Sequence, residues 1–157
     1  MTAPLVLQGQ AYWRSKCHNG RLPGRADIVP SEIKSLLPHV ILSEVLRDPF
    51  DIRFRLVGTK VVEMNNVDLT GKRLNHGVTH PGWQDYWLRI YTEVAETGRP
   101  AFGADSYEYR DRDHAAMQWC LLPLASDGRT VDMIFEIEEQ DPAPRPGDGH
   151  PLLHAGA

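Results

Sequence analysis

The sequence predicts an α+β domain: a five-stranded antiparallel sheet with helices packed on one face, plus an N-terminal helical extension. Three observations carry this reading. Two β-rich runs lie around residue 50, a long amphipathic helix follows around residue 90, and three further strand-like runs come after it.

At 157 residues the chain suits one domain, since domains commonly run to roughly 100–150 residues. The expected organisation is a single domain over 1–140, divided into the helical extension, about 1–37, and a core, about 38–140. Residues 141–157, DPAPRPGDGHPLLHAGA, hold four prolines and three glycines and read as a flexible tail.

Taken in order, GQAYWRSKC (residues 9–17) is a short helix that lays Tyr12 and Trp13 on the body, and His18-Asn19-Gly20 stops it. Residues 21–27 form a loop in which Arg25 and Asp27 are structural, as an ion pair or a cap. Pro30 opens a short helix whose apolar face is Ile33, Leu36 and Leu37, and Pro38 closes it. HVILSEVL (39–46) and DIRFRLVG (51–58) form a hairpin across Arg47-Asp48-Pro49-Phe50. In the second run the alternation places Ile52, Phe54 and Leu56 on the buried face, with Arg53, Arg55 and Val57 opposite. TKVVEMN (59–65) is a short helix, and residues 66–71 are an irregular connector.

Residues 81–97 give the strongest periodicity, with Trp83, Trp87, Ile90, Tyr91 and Val94 at spacings of three and four before Gly98 and Pro100. Strands follow at 101–109, 115–124 and 129–137. The charged turn RDRDH (110–114) separates the first two, and Ser126-Asp127-Gly128 gives a hairpin signal between the last two.

Charge and composition exclude some functions. A net charge of −4 and scattered basic residues argue against a nucleic-acid surface, which needs clustered Lys and Arg. Cys17 and Cys120 are far apart and not in metal-like spacing. Residues 1–10 lack the features of a signal peptide, and no apolar run approaches the roughly 18–20 residues that cross a bilayer. A cytoplasmic protein with no nucleic-acid and no membrane partner is the expectation.

The element order, two strands, a helical crossover and a three-stranded meander, is also that of a PAS domain. The likeness extends to residues: Trp13, Leu22-Pro23-Gly24-Arg25-Ala26-Asp27-Ile28, Pro30, Leu37-Pro38, Phe54-Arg55-Leu56-Val57-Gly58-Thr59, Asp68-Leu69-Thr70-Gly71-Lys72 and Leu122-Pro123-Leu124. On these the chain resembles a bacterial family of stand-alone PAS-like proteins, seen mostly in alphaproteobacteria, over about residues 12–138. The resemblance implies a curved sheet that encloses a pocket with the helices, a pocket that in many PAS domains holds a small molecule, haem or flavin. It also implies pairing as a homodimer.

The candidate ligand-binding residues are Arg55, Trp83, Tyr86, Trp87, Tyr91 and Trp119. The aromatic ones suit a mainly apolar pocket, and a guanidinium clamps a carboxylate if the sheet is covered on both sides. No catalytic constellation is visible, and none of the common hydrolase or nucleotide-binding motifs occurs. Flavin photochemistry of the light-sensing type needs a cysteine in residues 59–75, which have none. Haem would need an axial ligand, for which Met64, His76 and His80 lie in the right region. His76 and His80 have a metal-like spacing, but Gly77 and Pro81 make that segment a loop without a third ligand. Cys120, within AMQWCLLPL, reads as buried and inert.

The cofactor stays open. The function expected is a sensory or regulatory module that binds a small molecule or a protein partner and signals in trans. One rival is an enzyme or carrier with Asp85 or Glu93 as a buried general base. Another is a structural dimerisation domain.

Overall fold

The computed structural model describes residues 2–77, 81–109 and 112–141. Its helices are α1 (Pro4–Lys16), α2 (Thr59–Asn65) and α3 (Pro81–Thr97), and its strands are β1 (Val40–Leu46), β2 (Asp51–Val57), β3 (Ala101–Tyr109), β4 (Arg112–Leu124) and β5 (Met133–Asp141). The strands form one antiparallel sheet in the order β2-β1-β5-β4-β3. The early hairpin and the late meander therefore meet where β1 pairs with β5, Ile41 opposite Glu136 and Ser43 opposite Ile134. Of the expected tail, all but residue 141 lies outside the described residues.

The sheet carries a core on each face. Strand side chains alternate in direction, so β4 sends Met117, Trp119 and Leu121 to an inner core with α2 and α3, and Cys120, Leu122 and Leu124 to an outer core under α1. α2 and α3 pack on the inner face as expected for the core helices. The N-terminal extension closes the other face, where the Trp13 indole N–H donates to the Pro123 carbonyl at 2.8 Å.

α1 begins at Pro4, five residues before the expected start at Gly9. Pro at the first turn has no N–H to satisfy. The neighbouring amides find partners on the sheet, Ala3 N–H at Gln118 Oε1 (2.6 Å) and Leu5 N–H at Glu139 Oε2 (2.7 Å). These caps come from residues more than a hundred positions away, which is why a local reading misses them. The stop signal holds, with Asn19 and Gly20 both at positive φ.

The helix expected from Pro30 is instead two single 3-10 turns, Pro30–Glu32 and Leu37–His39. Each is opened by a proline and too short to continue. Tyr12 of α1 ties this stretch down, its hydroxyl donating to Glu32 Oε1 at 3.0 Å and accepting from Val29 N–H at 2.9 Å.

A β-bulge in β2 overturns part of the alternation. Ser43 pairs with Phe54 and Leu42 with Leu56, so Arg55 is the extra residue and the faces shift after it. Ile52 and Phe54 enter the inner core, Val57 packs against it, and Leu56 is 42% exposed.

The β4–β5 connection is longer than a two-residue hairpin, because β5 starts at Met133 and not at 129. Asp127 organises it by accepting the Arg129 and Thr130 amides at 2.8 and 2.7 Å. β4 begins at Arg112, paired with Tyr109, so residues 112–114 are strand and not turn.

The sequence fragments that carry the family likeness hold the scaffold. The Asp27 carboxylate accepts the Gly24 amide at 2.8 Å, a cap, while Arg25 donates to the Ile28 carbonyl at 3.0 Å; the two make no ion pair with each other. Gly58 lies against the turn before β1, where a Cβ would come within 2.4 Å of the Pro38 carbonyl oxygen. Gly71, at φ +82°, donates to the Phe54 carbonyl at 2.7 Å and so ties the loop after α2 to the bulged strand.

Candidate functional site

Spacings of three and four along α3 place Trp83, Tyr86, Trp87 and Tyr91 on one stripe facing the inner side of the sheet. Trp87 is the hub. Its ring centroid lies 5.3 Å from Tyr86, 6.2 Å from Tyr91, 6.4 Å from Trp83 and 5.0 Å from Trp119 of β4. Gly103 of β3 stands opposite Trp119, and a Cβ there would meet the indole Cζ2 at 2.2 Å, so the missing side chain makes room for the ring. Five of the six expected residues therefore converge.

Arg55 does not join them. Although the sheet is covered on both faces, α1 packs on β4 and β5 while Arg55 occupies the bulge of the edge strand β2. Its side chain is 59% exposed and lies 3.8 Å from Glu44, whose nearer partner is Arg53 at 3.2 Å. The expected anchor for an acidic ligand is a surface arginine.

Sequence reasoning missed the carboxylates. Asp105 of β3 accepts the Tyr86 hydroxyl on Oδ1 (2.8 Å) and the Trp119 indole N–H on Oδ2 (2.7 Å). Glu136 of β5 accepts the Tyr91 hydroxyl, and Glu138 stands two residues on, across from Trp119. Glu136 and Glu138 are 1% and 5% exposed.

Burial drives the electrostatics of this cluster. Loss of water, then the neighbouring Glu138 charge, lifts the Glu136 carboxyl well above its ordinary range. Burial, opposed by the hydrogen bond with Glu136 and helped by the Asp105 charge, raises Glu138 to about 7. Burial and then the Glu136 charge raise the Tyr91 phenol, and burial with the Asp105 hydrogen bond raises that of Tyr86. Among the described residues no Lys, Arg or His nitrogen comes within 4.0 Å of the Glu136 or Glu138 carboxylate. Trp83 Nε1 is buried without a hydrogen-bond partner, whereas the Glu136 and Glu138 carboxyls bond to each other and Ser43 to the Tyr91 hydroxyl.

The remaining candidates lie elsewhere. Asp85 and Glu93 are exposed, which removes both expected general bases. Met64 is in the inner core and His76 is exposed on the turn Leu74–His76, while His80 lies outside the described residues. Gly77, at φ +68°, ends that turn directly after His76. Among the described residues no group of three His, Cys, Asp or Glu side chains could hold a metal ion. Cys120 belongs to the outer core, where burial pushes its thiol up to about 12. Cys17, half-buried, packs against the same outer core, so neither thiol lines the aromatic box.

The family model described as PAS domain, PAS_5, matches residues 1–137. The chain belongs to the PAS domain family. Among solved structures, this PAS domain is similar to the PAS domain of a protein from Colwellia psychrerythraea, at 10% identity and a TM-score of 0.50, over 71% of this chain and 95% of that one. It is also similar to a light-oxygen-voltage domain studied with a flavin analogue (13% identity, TM-score 0.48, 71% and 82% covered). A third is the PAS domain of the histidine kinase ThkA (15% identity, TM-score 0.44, 66% and 99% covered). At these identities the likeness is one of fold. No curated protein matches the chain. Among the described residues no helix of this PAS domain is long and apolar enough to cross a membrane.

Proposed function

We propose that this PAS domain is a sensory or regulatory module whose input site is the aromatic and carboxylate box beneath α3, and which passes its state in trans to a protein partner or a second copy. The supporting observation is the buried Glu136 and Glu138 pair, which faces the aromatic rings with no basic partner among the described residues, beside the unpartnered Trp83 Nε1. An unsatisfied buried group costs about 1–3 kcal/mol, and an apolar replacement of similar shape removes that cost. A purely structural domain has no reason to carry such groups in its core. A site completed by a ligand has.

The reading is tested by denaturing extraction of the purified protein followed by mass spectrometry, with tryptophan fluorescence during titration with a cell metabolite extract. The expected result is a bound small molecule or a fluorescence change, both lost in Trp87→Ala. An empty extract and unchanged fluorescence would overturn it. Pairing of two copies belongs to the same reading, and light scattering on a sizing column should give twice the chain mass.

A further inference from the structure

We propose that the box beneath α3 takes an organic cation, a primary or quaternary ammonium group, with Glu138 as its counter-charge and the rings of Trp87 and Trp119 as its walls. This rests on the box being the input site.

The argument starts from charge. Asp105, Glu136 and Glu138 all face the inner side of the sheet, and no described basic side chain neutralises either glutamate. A carboxylate in an apolar core must take up a proton or find a cation. The three differ in what is left to bind. Asp105 already accepts from Tyr86 and Trp119, and Glu136 from Tyr91. Glu138 is left only its hydrogen bond with the Glu136 carboxyl, and its buried Oε2 meets no N–H or hydroxyl donor, which makes it the open acceptor of the cluster. Ser43, fully buried on the neighbouring β1, adds a hydroxyl one inward rung from Glu136.

The walls select the class of cation. A divalent metal would need further oxygen or nitrogen ligands, and the described residues offer no such group. Aromatic rings offer instead the negative face of a π-system, to which an alkylammonium binds without losing the apolar contact of its methyl and methylene groups. Trp83, Tyr86, Trp87, Tyr91 and Trp119 supply that environment within one ring contact of Trp87. An anionic ligand would meet like charge, and a neutral one would leave Glu138 to take up a proton instead.

Binding should also release a proton. The groups facing Glu138 are Glu136 on its own strand, Asp105 on β3, Tyr86 and Tyr91 on α3, and the uncharged Ser43 and Trp119 on β1 and β4; the His39 ring reaches only its main-chain oxygen. None supplies a positive charge to the carboxylate. The cation competes with the proton, so affinity rises with pH.

The test is a thermal shift assay on the full chain with three matched probes at equal ionic strength, butylammonium, butanol and butyrate, plus tetramethylammonium. Butylammonium or tetramethylammonium should raise Tm by about 3 °C when well above its Kd, more strongly at pH 8 than at pH 6. Glu138→Gln should abolish both the rise and its pH dependence, and the pH dependence in the unaltered chain remains decisive if that variant does not fold. A rise with butanol or butyrate and not with the ammonium probes overturns the cation while leaving the box as a ligand site. No response to any probe overturns the cation, and the input-site reading then stands or falls on the extraction and fluorescence test.

Discussion

Glu138 contributes to stability with a definite sign. Its carboxyl is raised from 4.5 to about 7 in the fold, so the folded state holds a proton that the unfolded state releases between those values. Its contribution is fully present below about pH 4.5 and is lost as pH rises through the raised value. Glu136, raised by the same burial, acts in the same direction. In Glu138→Gln the side chain is neutral at every pH, so the variant should gain on the unaltered chain at pH 8 and not at pH 4.5. Urea midpoints at the two pH values measure this, and parallel pH slopes for both proteins would rule it out. Tyr91→Phe should cost about 1–3 kcal/mol in the same assay, because it strips a buried carboxyl of its donor. The aromatic half of this site was legible, since helical spacing alone aligns Trp83, Tyr86, Trp87 and Tyr91. The acidic half was not. In Phe135-Glu136-Ile137-Glu138 the alternation reads as one buried and one solvated face, and only a core on both sides of the sheet turns the glutamates inward. Arg55 failed for a related reason, because a bulge leaves no trace in the period-2 pattern that located β2.

Among the elements, long periodic segments declared themselves and junctions did not. α3 and the five strands followed from hydrophobic spacing, whereas the start of α1 depends on hydrogen bonds to distant residues, and the turns after Pro30 and the β4–β5 connection on short local bonds that leave no periodic pattern. The family fragments mark such junctions. Gly58 is the clearest, because both the Leu37 and Pro38 carbonyl oxygens would lie within 2.5 Å of an added Cβ. Those atoms are main chain and cannot swing aside, so Gly58→Ala should lose about 1–3 kcal/mol by urea unfolding. Gly103→Ala collides with the Trp119 ring instead. It should displace the indole from Asp105, seen as a change in near-ultraviolet circular dichroism, with the backbone signal in the far ultraviolet kept. An unchanged aromatic signal would mean that Trp119 is not held as the packing of β3 and β4 requires.

At the scale of the whole molecule, one sheet serves two cores, and neither can be removed without exposing the other's floor. α1 is the only helix over the outer core among the described residues, and it holds there through Val6, Trp13 and the Trp13 to Pro123 hydrogen bond. Phe135 and Ile137 fill that core from the same strand that carries Glu136 and Glu138 inward, so α1 secures the strand from which the candidate site projects. Trp13→Ala removes a buried ring and its donor together and should cost about 3–5 kcal/mol. Cys120 reports the consequence, since its thiol is buried beneath α1 and held protonated up to about 12. In the unaltered chain a thiol reagent should modify Cys17 first and Cys120 only at the rate of opening of the fold. In Trp13→Ala the Cys120 reaction should accelerate by about a hundredfold or more under fast-exchange opening, the factor that roughly 3 kcal/mol implies. Equal rates in the two proteins would show that α1 can leave the sheet without cost, and that the outer core is not what holds β5 in place.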